Sequence, residues 1–484
     1  MKRLGALLVA LTTLACGSGD GGSVTDAGAG ETGATAFSDR VSLSEVATFQ
    51  TVKVDLMKDG SDIAKLNAPI VSYRPTLLRA YVTVSGQWSK PLLVDAELDL
   101  FIDGKPAGAL FDSKPVSESS IDGDLATTFN FDLHDGQVRS STTFTLSIRN
   151  DATGEAITYP SDGSARTLGV RDGAPVRVEM VPIQYDTDGS HRLPSLDATQ
   201  LARFHDTLYR MYPSASVDVS VHAPLAWNQS VAPDGTGWDE LLGAVAGLRQ
   251  ADVPPDDVYY VAAFEPAPTI NDFCSQGGCV LGVAPVAGPD DVDLRVAMVL
   301  GYKGQYPANT LNQELAHAMG REHADCGGAD YIDPKFPYPD AGIGMWGYDI
   351  LDKTLVDPNT VFDFMGYCSP IWVSDYTYSG LFDRIVHVAQ GLPPSGPVAP
   401  APPQNYRLVH LRPDGSLAWG RVLPMRRAPS LETRAITLLG AGRTVEVPFV
   451  RFDHVGGGIL FLREEEARMG VRVEGAGRLA PPSP

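Results

Sequence analysis

The sequence is short of positive charge. Its 484 residues carry 38 lysines and arginines against 59 aspartates and glutamates, which gives a formal net charge of −21 at pH 7. An acidic surface of this size repels nucleic acid and anionic lipid, and the chain contains no basic patch that would offset it. The composition therefore excludes a nucleic-acid-binding protein and suits a protein that stays soluble after export.

Long apolar runs are also scarce. The run from Leu4 to Leu11, which follows Lys2 and Arg3, is far too short to cross a bilayer as a permanent helix. Two basic residues, a short apolar segment and then small residues are typical of a secretion signal. We therefore expect residues 1–16 to be an export signal, and a plain cleaved signal peptide is one form of it.

The end of this segment, TLAC, resembles a bacterial lipobox with Cys16 as the lipidated residue. The resemblance implies a lipoprotein, and Gly17 in place of aspartate implies an anchor in the outer membrane or at the cell surface. Residues 17–40 begin with a stretch rich in glycine, serine, alanine and aspartate, a composition that predicts a flexible tether.

Cysteine is scarce, with five residues in the whole chain. If Cys16 carries lipid, four remain, and an even number suits disulfides in an oxidising compartment. We predict that Cys274 pairs with Cys279 and that Cys326 pairs with Cys368. Neither pair has the partner spacing of a zinc finger.

The length predicts two or three domains. Residues 41–170 contain repeated short strands separated by turns, such as Val94–Ile102 followed by Asp103 and Gly104. This pattern predicts an immunoglobulin-like β-sandwich. Residues 391–404 are dense in proline and predict a linker. Residues 405–484 show further strand patterns, which predict a small β domain.

Residues 171–390 have a different pattern, in which strands alternate with helices. Val176–Ile183 and Val258–Phe264 are typical strands, and Trp238–Leu248 has the composition of a helix. Such alternation predicts an α/β layer with a mixed sheet. The predicted fold class is therefore multidomain, with an α/β domain flanked by two β domains.

The residues that carry chemistry lie in the run 313–323, which reads QELAHAMGREH. Residues four apart share one face of a helix, so positions 313 and 317 can point at one metal ion. Glu314 can then hold a metal-bound water as a general base. Gly320 permits a sharp turn at positive φ, which brings His323 back toward the same site.

This run resembles H-E-x-x-H-x-x-G-x-x-H, the zinc signature of the metzincin metallopeptidases, with Gln313 in place of the first histidine. The resemblance implies an α/β metzincin-like domain that binds Zn²⁺ through His317 and His323. The segment DFMGYC is similar to the methionine turn of that clan. It implies that Met365 forms the floor of the site and that Tyr367 acts as an extra ligand or as an oxyanion donor.

Gln313 leaves the zinc site one firm ligand short, because a neutral amide oxygen is a weak donor to zinc. Tyr367, Asp325 or a second water are alternatives for the third ligand, and His387 is a more remote one. The histidines at 191, 205 and 222 are expected to be structural. No cysteine-switch segment that would indicate a zymogen is evident.

Two functions follow from this pattern. The first is a surface-anchored, zinc-dependent metalloendopeptidase in which Glu314 and Tyr367 are catalytic and the substrate is an extracellular protein or glycoprotein. The second is a catalytically degenerate metzincin fold, a pseudoenzyme, that binds an extracellular protein or glycan. In both, contact with the membrane is through the lipid anchor alone.

Overall fold

The structure is a computed structural model. It describes residues 36–482 apart from 87, 89, 276–278, 392–402, 413, 430–431 and 453–455. The predicted export signal, Cys16 and most of the predicted tether and linker lie outside the described residues. No helix among the described residues is long and apolar enough to span a membrane.

Two sheets and a two-stranded ribbon form the N-terminal part of the chain, after a short helix α1 (Phe37–Arg40). The first sheet has the order β3-β2-β1-β5-β8, and the second has the order β10-β9-β6-β7 with β11 also paired to β9. The ribbon pairs β12 with β4. The strands are β1 (Val41–Phe49), β2 (Lys53–Lys58), β3 (Ser61–Asp62), β4 (Ile70–Val71), β5 (Thr76–Val84), β6 (Leu92–Ile102), β7 (Lys105–Val116), β8 (Phe129–Leu133), β9 (Thr142–Asn150), β10 (Ala156–Tyr159), β11 (Arg166–Thr167) and β12 (Val170–Arg171).

Alternation of apolar and polar residues explains these strands. In β6 the side chains of Val94, Ala96, Leu98 and Leu100 are buried, and the residues between them are partly exposed. Successive side chains of a strand point to opposite faces, so this pattern buries one face of the sheet in the core. The predicted strand Val94–Ile102 is confirmed, with two further residues at its start.

The middle of the chain contains a six-stranded sheet of order β14-β13-β16-β18-β17, with β15 also paired to β13. β13, β14, β16 and β18 run parallel, and β17 is antiparallel to β18 at the end of the sheet. The elements are β13 (Val176–Tyr185), α2 (Ala198–Met211), β14 (Val217–Val221), β15 (Leu225–Trp227), α3 (Trp238–Asp252), β16 (Val258–Phe264), α4 (Ile270–Phe273), β17 (Gly282–Val283), β18 (Val296–Leu300) and α5 (Gln305–Ala318).

Helices cover both faces of this sheet. Phe204 of α2 and Leu315 of α5 pack with Val178 in one core, whereas Val245 of α3 packs with Val181 in another. The chain then continues through short ribbons to a last long helix, which packs against the first of these cores. These later elements are β19 (Gly347–Asp349), β20 (Thr354–Val356), β21 (Phe362–Asp363), β22 (Ile371–Trp372) and α6 (Asp375–Ala389).

The C-terminal part is a seven-stranded sheet of order β24-β23-β27-β26-β25-β28-β29. Trp419 of β24 donates from Nε1 to the carbonyl oxygen of Ala480 at 2.8 Å, which brings the two ends of the sheet together. We call residues 404–480 the C-terminal barrel. Its elements are β23 (Gln404–Leu411), β24 (Leu417–Met425), β25 (Glu432–Leu438), β26 (Arg443–Arg451), β27 (Gly458–Arg463), α7 (Glu464–Ala467), β28 (Val471–Val473) and β29 (Gly477–Leu479).

The predicted fold class, an α/β metzincin-like domain flanked by an N-terminal immunoglobulin-like β-sandwich and a small C-terminal β domain, is wrong. Strands make up 39% of the described structure and helices 19%, so this part of the chain is mostly β. One core contains Leu98 of the second sheet together with Leu315 of α5, and another contains Val245 of α3 together with Phe461 of the barrel. The sheets therefore share cores, and Phe37–Pro484 forms one compact unit.

Polar contacts reinforce the docking of the C-terminal barrel on α3. His410 of β23 is buried and lies 2.6 Å from a carboxylate oxygen of Asp239. Arg412 lies 2.9 Å from Glu240. Burial opposes ionisation of Asp239, but hydrogen bonds with His410 and Glu240 outweigh it and hold the pKa of Asp239 below its usual value. Asp239 therefore stays charged at this interface.

Candidate functional site

Helix α5 positions the central residues of the site. It begins after Gly304 and ends at Ala318, and Gly320 then turns the chain at a φ of +82°. A Cβ at Gly320 would lie 2.8 Å from the carbonyl oxygen of Ala287, so a larger residue would be both strained and crowded. The sharp turn that the sequence predicts at Gly320 is confirmed.

The turn brings His317 and His323 together. Their ring centroids are 4.5 Å apart and their planes are nearly perpendicular. Nδ1 of His317 lies 2.6 Å from the carbonyl oxygen of Arg321, and Nδ1 of His323 lies 2.5 Å from that of Asp330. A carbonyl oxygen only accepts hydrogen bonds, so each Nδ1 carries a proton and donates it. These two hydrogen bonds hold both rings in one orientation.

Glu314 is fully buried beside the sheet edge. Its Cγ and Oε1 lie 2.5 Å from the place where a Cβ on Gly282 would be. Because real side-chain atoms do not approach a Cβ that closely, Gly282 is required for Glu314 to hold its position. The sequence pattern singled out Glu314 but gave no sign of the strand that packs against it.

We expect Gly282→Ala to displace Glu314 and to destabilise the chain by about 1–3 kcal/mol, the usual cost of overpacking a filled core. Urea unfolding would measure this loss. Gly243→Ala is the matched control, because its Cβ would meet Leu408 at an ordinary 3.9 Å and alanine favours the helical state of α3. Equal stability of Gly282→Ala and the wild type would contradict the prediction.

The loop after β21 forms the floor of the site. Asp363 is buried and accepts hydrogen bonds at 2.9 Å from the backbone N–H groups of Met365 and Ser374. Burial raises the pKa of Asp363, although these hydrogen bonds act in the opposite direction. Met365 is buried, whereas Tyr367 is 41% exposed with its ring centroid 5.0 Å from that of His323. The structure thus places the ring of Tyr367 beside His323, and the carbonyl oxygen of Met365 accepts from the backbone N–H of Ala324 at 3.0 Å.

Two disulfides border this region. Cys326 pairs with Cys368, and Cys274 pairs with Cys279. The backbone N–H of Tyr367 also donates to the carbonyl oxygen of Cys326 at 3.0 Å. The disulfide between Cys326 and Cys368 therefore ties the loop that carries Tyr367 to the segment just after His323.

A cavity of about 760 Å³ lies between the end of the sheet and α5. One wall is the segment that leads into β17, and the other is the exposed face of α5. The floor is the loop after β21. Asp234 is the one charged side chain among the lining residues, which are Pro233, Asp234, Cys279, Val280, Leu281, Tyr306, Asn309, Thr310, Gln313, Phe364, Gly366, Tyr367, Cys368, Ser369 and Ile371.

Most of this lining was not predicted from the sequence. Gln313 and Tyr367 were singled out, and both line the cavity. Tyr306, Asn309 and Gln313 are spaced three and four residues apart on α5, and this helical spacing was a signal that could have revealed that wall. Leu281 is far from them in the sequence and carried no such signal.

The residues do not complete a zinc site. Among the residues that the structure describes, no three histidine, cysteine, aspartate or glutamate side chains form a group that could hold a metal ion. His317 and His323 supply two imidazoles. The residue at the third ligand position is Gln313 of α5, which supplies an amide. Two imidazoles and a neutral amide are a weak donor set for zinc. We therefore derive no chemistry through a metal.

The other histidines lie in separate places and have acidic neighbours. His191 lies 3.0 Å from Asp186, His222 lies 3.1 Å from Asp252, and His387 lies 2.8 Å from Asp290. His387 is paired with Asp290, and neither His387 nor Asp325 lines the cavity.

No family model matches the chain, and no curated protein matches it. Among solved structures, a calcium-binding mutant of β-glucuronidase 2 from Bacteroides uniformis matches with 10% identity and a TM-score of 0.15. The match covers 49% of this chain and 25% of that chain. Similarity at this level carries no argument about fold or function.

The identification of the chain as a metzincin-type metallopeptidase is wrong. No family model supports it, and the described residues contain no group that could hold a metal ion. The misleading signal was local, since Glu314, His317, Gly320 and His323 fit the signature within ten residues. A helix followed by a glycine turn brings two histidines together whether or not a third ligand is present.

Proposed function

We propose that the chain is an exported protein that binds an extended segment of another extracellular protein in the 760 Å³ cavity. The observation that carries the proposal is the position of this cavity beside β17, the end strand of the mixed sheet. An end strand has one side open to a further strand, and extended peptides bind proteins by adding to such an edge. Two disulfides and an acidic composition suit an extracellular location.

The lining indicates what kind of segment would bind. Val280, Leu281 and Ile371 offer apolar surface, and Asn309 and Gln313 offer amide groups from α5. Nε2 of Gln313 is buried and has no hydrogen-bond partner among the described residues. A backbone carbonyl of a bound peptide would satisfy this donor. The cavity therefore suits a peptide with an apolar side chain, held in part through its backbone.

Binding of fluorescein-labelled casein, followed by fluorescence anisotropy, would test the proposal. Leu281→Asp places a charge on the apolar wall and is expected to weaken binding at least about tenfold, which corresponds to 1.4 kcal/mol. Phe111→Ala is the matched control, because it removes a 69% exposed aromatic ring from β7 outside the cavity. Failure of the wild type to bind casein, or equal binding by Leu281→Asp, would contradict the proposal.

Hydrolysis of the bound segment is the second candidate, because Tyr367 lines the cavity and its ring centroid lies 5.0 Å from that of the buried His323. Intact casein after prolonged incubation would favour binding alone. Cleavage that stops in Glu314→Gln, with casein binding retained, would favour hydrolysis instead.

A further inference from the structure

The peptide-binding cavity of about 760 Å³ has a single charge in its lining, the carboxylate of Asp234. This side chain is exposed, and it forms no ion pair within the part of the chain that the structure describes. The other lining residues carry no charge. A cationic group that enters the cavity would therefore meet one carboxylate and no competing cation from the lining.

An anchored turn before α3 holds Asp234 in place. The backbone N–H of Ala232 donates to the carbonyl oxygen of Thr236 at 2.8 Å, and the indole N–H of Trp238 donates to the carbonyl oxygen of Ala232 at 2.9 Å. Trp238 is buried in the core that α3 shares with the mixed sheet, so it ties the turn to that core. A charge on such a turn loses little freedom when a ligand binds.

Hydrogen bonding keeps this carboxyl group ionised. Oδ1 of Asp234 accepts from the backbone N–H of Thr236 at 3.0 Å. A hydrogen bond to the charged form favours that form, and this one lowers the pKa of Asp234 below its usual value. Asp234 is therefore negatively charged at neutral pH. Because asparagine has the same Oδ1 acceptor, Asp234→Asn removes the charge and keeps the hydrogen bond of the turn.

The turn lies against the wall that a bound segment would follow. The backbone N–H of Val280 donates to the carbonyl oxygen of Pro233 at 2.9 Å. Val280 and Leu281 lead directly into β17, the end strand of the mixed sheet. A segment that adds to β17 and continues along this wall would therefore pass beside Asp234.

We propose that Asp234 selects extracellular segments that carry a lysine or arginine next to their apolar residues. The proposal rests on the peptide-binding function above and gives the cavity a preference among segments. Charges across an interface discriminate between partners more than they raise affinity. A basic side chain of the segment is attracted to Asp234, whereas an acidic one meets a like charge and is disfavoured.

Fluorescence anisotropy with fluorescein-labelled peptides would test this preference in the full chain. The peptides share one sequence of alternating leucine and serine and differ only in one end residue, which is arginine, glutamine or glutamate. One set varies the amino end and a second set varies the carboxyl end, since the segment can run in either direction.

In one of the two sets, we expect the arginine peptide to bind about two- to fivefold more tightly than the glutamine peptide, the range of an exposed ion pair. The glutamate peptide is expected to bind more weakly than the glutamine peptide. Sodium chloride is expected to reduce both differences, because salt screens exposed charges.

Two variants separate the charge of Asp234 from the acidic surface as a whole. Asp234→Asn is expected to bring the arginine and glutamate peptides to similar affinity. Asp162→Asn is the matched control, because it removes the same charge from a similar turn outside the cavity, in which Oδ1 accepts from the backbone N–H of Ser164 at 2.9 Å. This control is expected to keep the preference of the wild type.

Binding of casein by the same protein separates a failed preference from a failed function. If the wild type does not bind casein, the peptide-binding function is overturned, and the role of Asp234 with it. If casein binds, equal binding of the arginine and glutamate peptides, or no binding of any peptide, would overturn the role of Asp234 alone. A preference that Asp234→Asn and Asp162→Asn reduce equally would also overturn it, because it would then come from the net charge of −21.

Discussion

Replacing Gln313 with histidine is expected to raise the zinc affinity of the chain by at least about tenfold, because even changes outside the direct ligands alter metal affinity by 10–100-fold. Position 313 lies one helical turn before His317, and its side chain lines the 760 Å³ cavity. Nδ1 of both existing histidines donates to a backbone carbonyl, so the orientation of both rings is already fixed. The substitution adds a third imidazole to this fixed pair.

Elemental analysis after dialysis would give the zinc content per chain. Competition against a chromophoric chelator would give the zinc affinity. Gln305→His is the matched control, because it introduces the same residue at the exposed first turn of α5. About one zinc per chain in Gln313→His and little in the wild type and control would show that the native site lacks only one ligand. Stoichiometric zinc in the wild type would contradict our conclusion that the native donor set is too weak.

Local patterns predicted the secondary structure well. The strand Val258–Phe264 lies at the predicted residues, and the helix predicted at Trp238–Leu248 extends to Asp252. The reason is that the spacing of apolar residues, every second residue in a strand and every third or fourth in a helix, indicates which face of the element is buried. This pattern can be read from a few neighbouring residues. The same holds for the glycine turn at Gly320.

These local patterns could not predict the long-range packing of the chain. The sequence indicated separate domains because its pattern changes near residues 170 and 390, but no local signal shows that Leu98 and Leu315 share a core. The cavity could not be predicted for the same reason, because Pro233, Leu281 and Phe364 come together only in the folded chain. A short motif therefore located the histidine pair correctly but misidentified both the family and the fold.

Gln313 shows why the motif misled. A signature match counts letters equally, whereas a metal site depends on the number of strong donors, and one amide in place of imidazole removes a third of the donor set. The remaining residues can be retained for reasons unrelated to a metal. Glu314 packs against Gly282, and each histidine orders a loop through its Nδ1 hydrogen bond.

The disulfide between Cys326 and Cys368 is expected to contribute most to the stability of the site. Its cysteines are 42 residues apart, and the loss of loop-closure entropy in the unfolded chain predicts a stabilisation of about 4 kcal/mol. The segment that it closes contains the loop of Asp363, Met365 and Tyr367. We therefore expect the double variant Cys326→Ser, Cys368→Ser to unfold at a clearly lower urea concentration and to bind casein more weakly.

The second disulfide provides an internal control. Cys274 and Cys279 are five residues apart, so the same relation predicts only about 2 kcal/mol for the double variant Cys274→Ser, Cys279→Ser. Urea unfolding of both double variants would give the two losses under identical conditions. A larger loss for the short loop would show that native contacts around Cys279, a residue of the cavity wall, outweigh loop entropy. In that case the wall at residues 279–281, rather than the loop after β21, would be the main stabilising part of the peptide-binding cavity.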